Sequence, residues 1–160
     1  MAKAYKPLPT AEELWELFEY KPLTGELIWR VSTGRRVRAG DVAGCLKPRG
    51  YYEICWRQRN YTNHRIVWKW VTGADPGVMH IDHINRIKHD NRHWNLRLAT
   101  GTQNRHNRAA KGYVKTGNRW YARIRVNLKW VPLGSYATPE EAHAAYKKAA
   151  IELYGEFAVV

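Results

Sequence analysis

Three features of the sequence point to an α+β chain built in two parts. Residues 119–126, RWYARIRV, alternate strictly: Trp120, Ala122, Ile124 and Val126 fall on one side, Arg119, Tyr121, Arg123 and Arg125 on the other. That period of two marks a half-buried strand. Residues 26–63 break into short β-prone runs separated by turns, which reads as a small antiparallel sheet. Helix signatures flank both regions, at residues 10–19, 64–70 and 138–154.

In chain order, Thr10 and Glu13 form the sequence of a capping box ahead of TAEELWELFE, and Leu14, Leu17 and Phe18 make an i, i+3, i+4 stripe, so 10–19 is expected to be a helix with a core face. Thr24-Gly25 turns into a strand, Glu26 to Val31. Residues 32–40, STGRRVRAG, hold three Arg and two Gly without periodicity, and read equally as a loop laid on phosphate or a solvated loop. Val42–Leu46 and Tyr51–Trp56 read as strands, 57–60 as a polar turn and Tyr61-Thr62 as the start of a return. Ile66, Val67 and Trp70 fit one helical face that stops at Thr72-Gly73, and 74–77 turns onward. In the last fifty residues, Asn127-Leu128 turns the alternating strand into a return at Lys129 to Leu133. Thr138, Pro139, Glu140 and Glu141 supply cap, first-turn proline and first-turn acids to a helix ending at Tyr154-Gly155. Its buried face is expected to be Ala142, Ala145, Tyr146, Ala149 and Leu153.

Charge narrows the partners. Twenty-seven Lys and Arg against fourteen Asp and Glu give +13, spread as +5, +4 and +4 over residues 1–75, 76–110 and 111–160. An even spread fits an extended polyanion-binding surface better than a basic tail. No long apolar run or signal peptide is visible, so a membrane is not an expected partner, and no small-molecule substrate is expected. Cys45 and Cys55 lack metal-ligand spacing; no structural zinc is expected, and the two read as buried thiols of a cytosolic protein.

The chemistry concentrates in residues 78–107, which pack five His and five Asn around Asp82 and Asp90. Such groups must be satisfied or left wet, an uneconomical choice for a purely structural segment. Asp82 and His83 are adjacent, Asn95 follows twelve residues after His83 and opens the run Leu96 to Ala99, and Asn104 follows nine later in a helical segment. That spacing gives strand, loop, strand, helix, with polar groups at the junctions. A neutral His is able to take a proton from water near pH 7, and Asp and Asn oxygens suit a hard divalent cation.

This stretch resembles the HNH nuclease family, close to its phage homing-endonuclease branch, in which an Asp-His pair leads to an Asn-Leu-Arg strand and a helix Asn. The resemblance implies a ββα-metal fold with His83 as general base, Asp82 and Asn104 holding one Mg²⁺ (or Mn²⁺) per active site, Asn95 tying the loop and fixing the His, and Asn91 as another recurrent loop Asn. His80, His89, His93 and His106 stand near enough in sequence to join the ligand set. Arg86 departs from the family's usual Gly, which calls for a positive φ from a side chain that resists it. The helix from His64 is expected to buttress the unit, with His64 structural or on phosphate, and Arg105 and Arg108 on one helix face to grip phosphates.

Residues 112–158 resemble the Apetala-two / ethylene-response-factor DNA-binding domain, through Trp-x-Ala-x-Ile-Arg, Leu-Gly-x-aromatic, Thr-Pro-Glu-Glu-Ala and Leu-Tyr-Gly-Glu-Phe-Ala. That family lays a three-stranded sheet in the major groove with a helix behind. The resemblance implies DNA contacts from Arg119, Tyr121, Arg123, Arg125 and Lys129.

The expected architecture is therefore α+β: a small antiparallel sheet plus a ββα-metal unit (HNH core about 64–110) in residues 1–111, then a three-stranded sheet packed on one helix in 112–160. The expected function is site-directed, metal-dependent cleavage of double-stranded DNA, nicking one strand per active site, by a monomer or dimer on DNA in the cytoplasm of a phage-infected bacterium. Two other classes are a non-catalytic DNA-binding regulator on an HNH scaffold and a sequence-tolerant phage nuclease.

Overall fold

A computed structural model describes residues 7–159. Contacts divide the chain into two compact units, the first ending at Gly101 and the second beginning at Thr102. The expected boundary lay ten residues later, so the segment from Thr102 to Lys111 is counted with the second unit.

In the first unit, α1 (Ala11–Leu17) carries the expected capping box, with Thr10 Oγ1 accepting from Glu13 N and Glu13 Oε2 from Thr10 N. It stops two residues short of the expected end. Phe18 turns extended (φ −130°, ψ 143°), and β1 (Phe18–Lys21) begins at once. β1 pairs antiparallel with β2 (Glu26–Trp29), Phe18 opposite Trp29 and Tyr20 opposite Leu27. All four of these side chains are buried, so burial at period two overrides the helical stripe. β3 (Cys45–Leu46), β4 (Tyr52–Trp56) and β5 (Arg59–Thr62) form a three-stranded sheet, and the strand expected from Val42 is reduced to one bridge, Ile28 to Val42, before β3. Cys45 and Cys55 are exposed, not buried: Cys45 lies opposite Glu53, and on β4 it is Ile54, between Glu53 and Cys55, that points into the core.

α2 (Asn63–Thr72) lays Ile66 and Val67 on that core and ends at Gly73 in the left-handed region. Leu14, Phe18, Leu27, Ile54, Ile66 and Val67 are fully enclosed, each burial contributing about 1.5–3 kcal/mol before entropy costs. Ile81 on β6 (His80–His83) and Leu96 on β7 (Leu96–Ala99) join the same cluster. The β6–β7 hairpin is thereby anchored to the core by Ile81 and Leu96, and its register puts His83 on the same face as these two and Asp82 on the other.

The second unit opens within α3 (Gly101–His106), whose first residue is the last of the first unit. The expected helix ran to Ala110; residues 108–110 are exposed and offer no apolar stripe to bury, and Arg108 stands outside the helix. β8 (Tyr113–Thr116), β9 (Arg119–Val126) and β10 (Lys129–Tyr136) make a meander with β9 central. α4 (Pro139–Tyr154) has the expected cap from Thr138 and packs on β9 and β10. Its fully buried residues are Ala142 and Ala150, with Tyr146 half-buried between them; Leu153, expected inside, is exposed near the helix end.

Gly112 tests this packing. Its φ is +74°, and a Cβ there would lie 1.9 Å from Tyr146 Cγ and 2.5 Å from its Cβ. No Tyr146 rotamer clears an overlap so near its own backbone. Gly112→Ala should cost about 3 kcal/mol or more, from overlap and left-handed strain together. Chemical denaturation followed by Trp fluorescence measures it, and a loss under about 1 kcal/mol would contradict the packing of α4 on β8.

Candidate active site

The register of the β6–β7 hairpin places Asp82 opposite Arg97 and His83 opposite Leu96. Asp82 and His83 are each 4% exposed. Arg97 Nε donates to Asp82 Oδ2 at 2.9 Å, and an Arg97 terminal nitrogen lies 2.9 Å from the same oxygen. A carboxylate this enclosed needs a cationic partner, and Arg97 supplies it.

The loop between the strands is held by Asn95, at the end of a 3-10 turn (His93–Asn95). Its Oδ1 accepts from Asn85 N at 2.9 Å; its Nδ2 donates to Asn85 Oδ1 and to the Asp90 carbonyl, both at 2.9 Å. Its backbone carbonyl accepts from Ile84 N. Asn95 thus ties the loop by its side chain, and reaches His83 only through the strand pairing. Arg86 takes φ +64°, so the loop adopts the left-handed turn despite the missing Gly, at a cost of about 1–2 kcal/mol. Arg92 beside Asp90 pulls that carboxyl down to about 2. Asp90 remains a charged brace, with Asn85 Nδ2 donating to it at 2.6 Å.

His83 Nε2 lies 3.2 Å from Asn91 Oδ1. An amide oxygen only accepts, so Nε2 carries the hydrogen and Nδ1 the lone pair. Burial pushes the His83 pKa below its ordinary value, with the Asn91 bond and the charges of Asp82 and Asp90 opposing. The neutral ring therefore dominates at pH 7. His64 meets His83 edge-on, ring centres 5.2 Å apart, and Tyr51 lies 5.2 Å from His64. Burial drives His64 down to about 3, with His83 and Arg65 adding to the drop. His64 is a neutral packing partner of the candidate base, enclosed away from any phosphate.

The other sequence-marked histidines take separate places. His80 opens β6, opposite Ala99; His89 is exposed; His93 packs on Trp68. His106 stacks on Tyr154 in the second unit, centres 3.7 Å apart. Asn104 is half-buried on α3, which is counted with the second unit. Among the described residues, no group of three or more His, Cys, Asp or Glu stands close enough to hold a metal. Asp82, beside His83 at the end of β6, supplies one hard carboxylate donor. It fits a divalent cation that keeps water and phosphate oxygens in its sphere.

In the second unit, Arg119, Tyr121, Arg123 and Arg125 share the β9 face away from the buried Ala122 and Ile124. Arg119 donates to Ser135 Oγ at 2.6 Å and to its carbonyl at 2.8 Å. Lys129 lies opposite Val126, so the register sends it to the other face. Trp130, opposite Arg125, is what sequence reasoning missed: it is 55% exposed, with the Arg123 guanidinium 4.2 Å from its ring centre. A cleft of about 820 Å³ brings Arg105, Arg108, Arg123, Arg125 and Trp130 together beside Tyr154.

Residues 61–106 match a family model described as HNH endonuclease. The chain carries an HNH endonuclease domain, and α2, β6, β7 and α3 all lie in the matched segment. A protein of Acanthamoeba polyphaga mimivirus, called an uncharacterized HNH endonuclease, is 35% identical over 101 residues, covering 59% of this chain and 54% of that protein. The chain thus spans about half the length of the curated relative it matches. No solved structure gives a significant match. None of the described helices is long and apolar enough to cross a membrane.

Proposed function

We propose that this chain is a site-directed DNA endonuclease of the homing type, dependent on Mg²⁺ or Mn²⁺ and nicking one strand per active site. The observation that carries the reading is the buried Asp82-His83 pair at the end of β6, with His83 Nε2 against an amide oxygen. In this orientation His83 Nδ1 takes the proton of a water molecule, and the hydroxide attacks phosphorus in line with the leaving oxygen. Asp82, with Asn104 by the family resemblance, would hold the divalent ion, which stabilises charge on the leaving oxygen when bound. Asn95 and Asp90 keep the loop in shape while this happens. A single centre of this kind cuts one strand, so a double-strand break requires a second copy or a second binding event.

The β9 arginine face is the proposed reader of double-stranded DNA, and it raises the effective concentration of the nuclease unit at one site. Arg123 and Arg125 are the proposed base contacts, each good bidentate pair giving about 1–3 kcal/mol of discrimination. Arg123→Ala should therefore lower the preference for the cognate site by roughly 5- to 150-fold, while nicking of non-cognate DNA persists. Competition binding against random DNA at fixed salt checks this; unchanged preference removes Arg123 from the reader. The reading as a whole is tested by nicking of supercoiled plasmid carrying candidate targets, with Mg²⁺ or Mn²⁺ and an EDTA control. Tight binding with no cutting under any metal, on DNA known to contain the binding site, would leave a DNA-binding module on an HNH scaffold.

A further inference from the structure

We infer that Tyr20, on the N-terminal hairpin and outside the matched nuclease segment, is a positioning residue for His83, acting through Asn91. The inference rests on the reading of His83 as the base, and its geometry stands independently of it. Tyr20 is 6% exposed, its ring 5.6 Å from that of Trp70. A phenylalanine would fill that space equally well, so the hydroxyl has a separate purpose. Both its capacities are used on one segment: it donates to the Asn91 carbonyl at 3.2 Å and accepts from His93 N at 2.8 Å. Asn91 is the residue whose side-chain oxygen meets His83 Nε2 at 3.2 Å. One phenol therefore fixes the backbone of the residue that fixes the imidazole.

The hairpin grips the same segment a second time. At Gly25 (φ +79°) the backbone approaches so closely that a Cβ would lie 2.7 Å from the Asn91 carbonyl carbon and 2.5 Å from Arg92 N. Gly25 stops the segment moving toward the hairpin and Tyr20 stops it moving away. Asn91 is 3% exposed and has no room to hold its side chain by another route. A shift of its backbone passes directly to Oδ1, and misplacement of a base by about 1 Å costs as much as 100-fold in rate.

The test uses the full chain as wild type, Tyr20→Phe, Asn91→Ala and the double variant. Two-dimensional ¹⁵N–¹H spectra of the imidazoles, recorded without metal at neutral pH, read the His83 tautomer. Wild type is expected to show hydrogen on Nε2; both single variants are expected to show a mixture. In plasmid nicking, Tyr20→Phe should lower kcat about 10- to 100-fold with KM changed less than twofold. The double variant should be no slower than Asn91→Ala, since both changes break one link. A Tyr20→Phe protein with wild-type tautomer and kcat overturns the inference, as does an additive double variant. Hydrogen on Nδ1 in wild type overturns it however the variants fold. If wild type never cuts, the nuclease reading fails, and the tautomer alone still decides the positioning role.

Discussion

His83→Ala should reduce nicking by about 10²–10⁴-fold, the usual contribution of a general base, with little change in DNA affinity. His83 is enclosed against His64 and Tyr51, so His83→Gln serves as a second variant that fills more of the space. Supercoiled plasmid with saturating Mg²⁺ gives the rate, and near-UV circular dichroism confirms the fold. A variant keeping more than a tenth of the wild-type rate would remove His83 from the proton transfer. The pH profile follows from burial. Because the folded pKa of His83 is depressed below 6.5, the neutral base persists beneath that value, and kcat/KM should stay level from pH 8 to 6.5 and fall only below it. The fold must be monitored in parallel. His64 is held neutral down to about 3, whereas in the unfolded chain it charges near 6.5. Its contribution to stability is complete above pH 6.5 and is lost as pH falls from there toward 3, at up to about 1.4 kcal/mol per pH unit.

Gly25→Ala is the expected structural counterpart. An added methyl meets backbone on two sides, Arg92 N at 2.5 Å and Asn91 C at 2.7 Å, at a φ of +79° that alanine resists. Left-handed strain costs about 1–2 kcal/mol and the overlap about 1–3 kcal/mol or more. The sum approaches a third of a typical folding free energy of about 5–15 kcal/mol. A fall in Tm of about 10 °C is expected, and nicking should drop even far below Tm, because the displaced segment carries Asn91. Gly40→Ala is the control: its φ is +93°, but nothing lies within 4 Å of the added Cβ. It should show the backbone strain alone. Equal losses for the two variants would mean that the hairpin does not press on the loop.

The sequence disclosed what is written in local patterns. The capping box at Thr10, the cap at Thr138, the alternation of β9 and the left-handed stop at Gly73 follow from neighbours within a few residues. The adjacency of Asp82 and His83 ahead of an Asn-Leu-Arg run placed both at the end of a strand that leads into a loop. What stayed hidden depends on distant partners. Phe18 continues a helical stripe by spacing, and only the burial of Phe18 and Tyr20 against Trp29 and Leu27 turns the chain into β1. Tyr20 therefore carried no sign of its bond to Asn91, 71 residues away. Arg97 belonged to a quoted motif, but its pairing with Asp82 needed the register. Trp130 looks like a core residue until β10 sets it beside Arg125 on the open face, and the same register carries Lys129 away from that face.

The bonds from Tyr20 to Asn91 and His93 also set an order of events during synthesis. The first hairpin, ending at Trp29, leaves the ribosome long before residues 91–93, by several seconds at about 5–20 residues per second. Until then the Tyr20 hydroxyl lacks its two protein partners and the β6 histidine lacks the Asn91 amide. The half-made protein therefore holds its candidate base unaligned, and an aligned site requires a chain synthesised at least through the 3-10 turn at His93–Asn95.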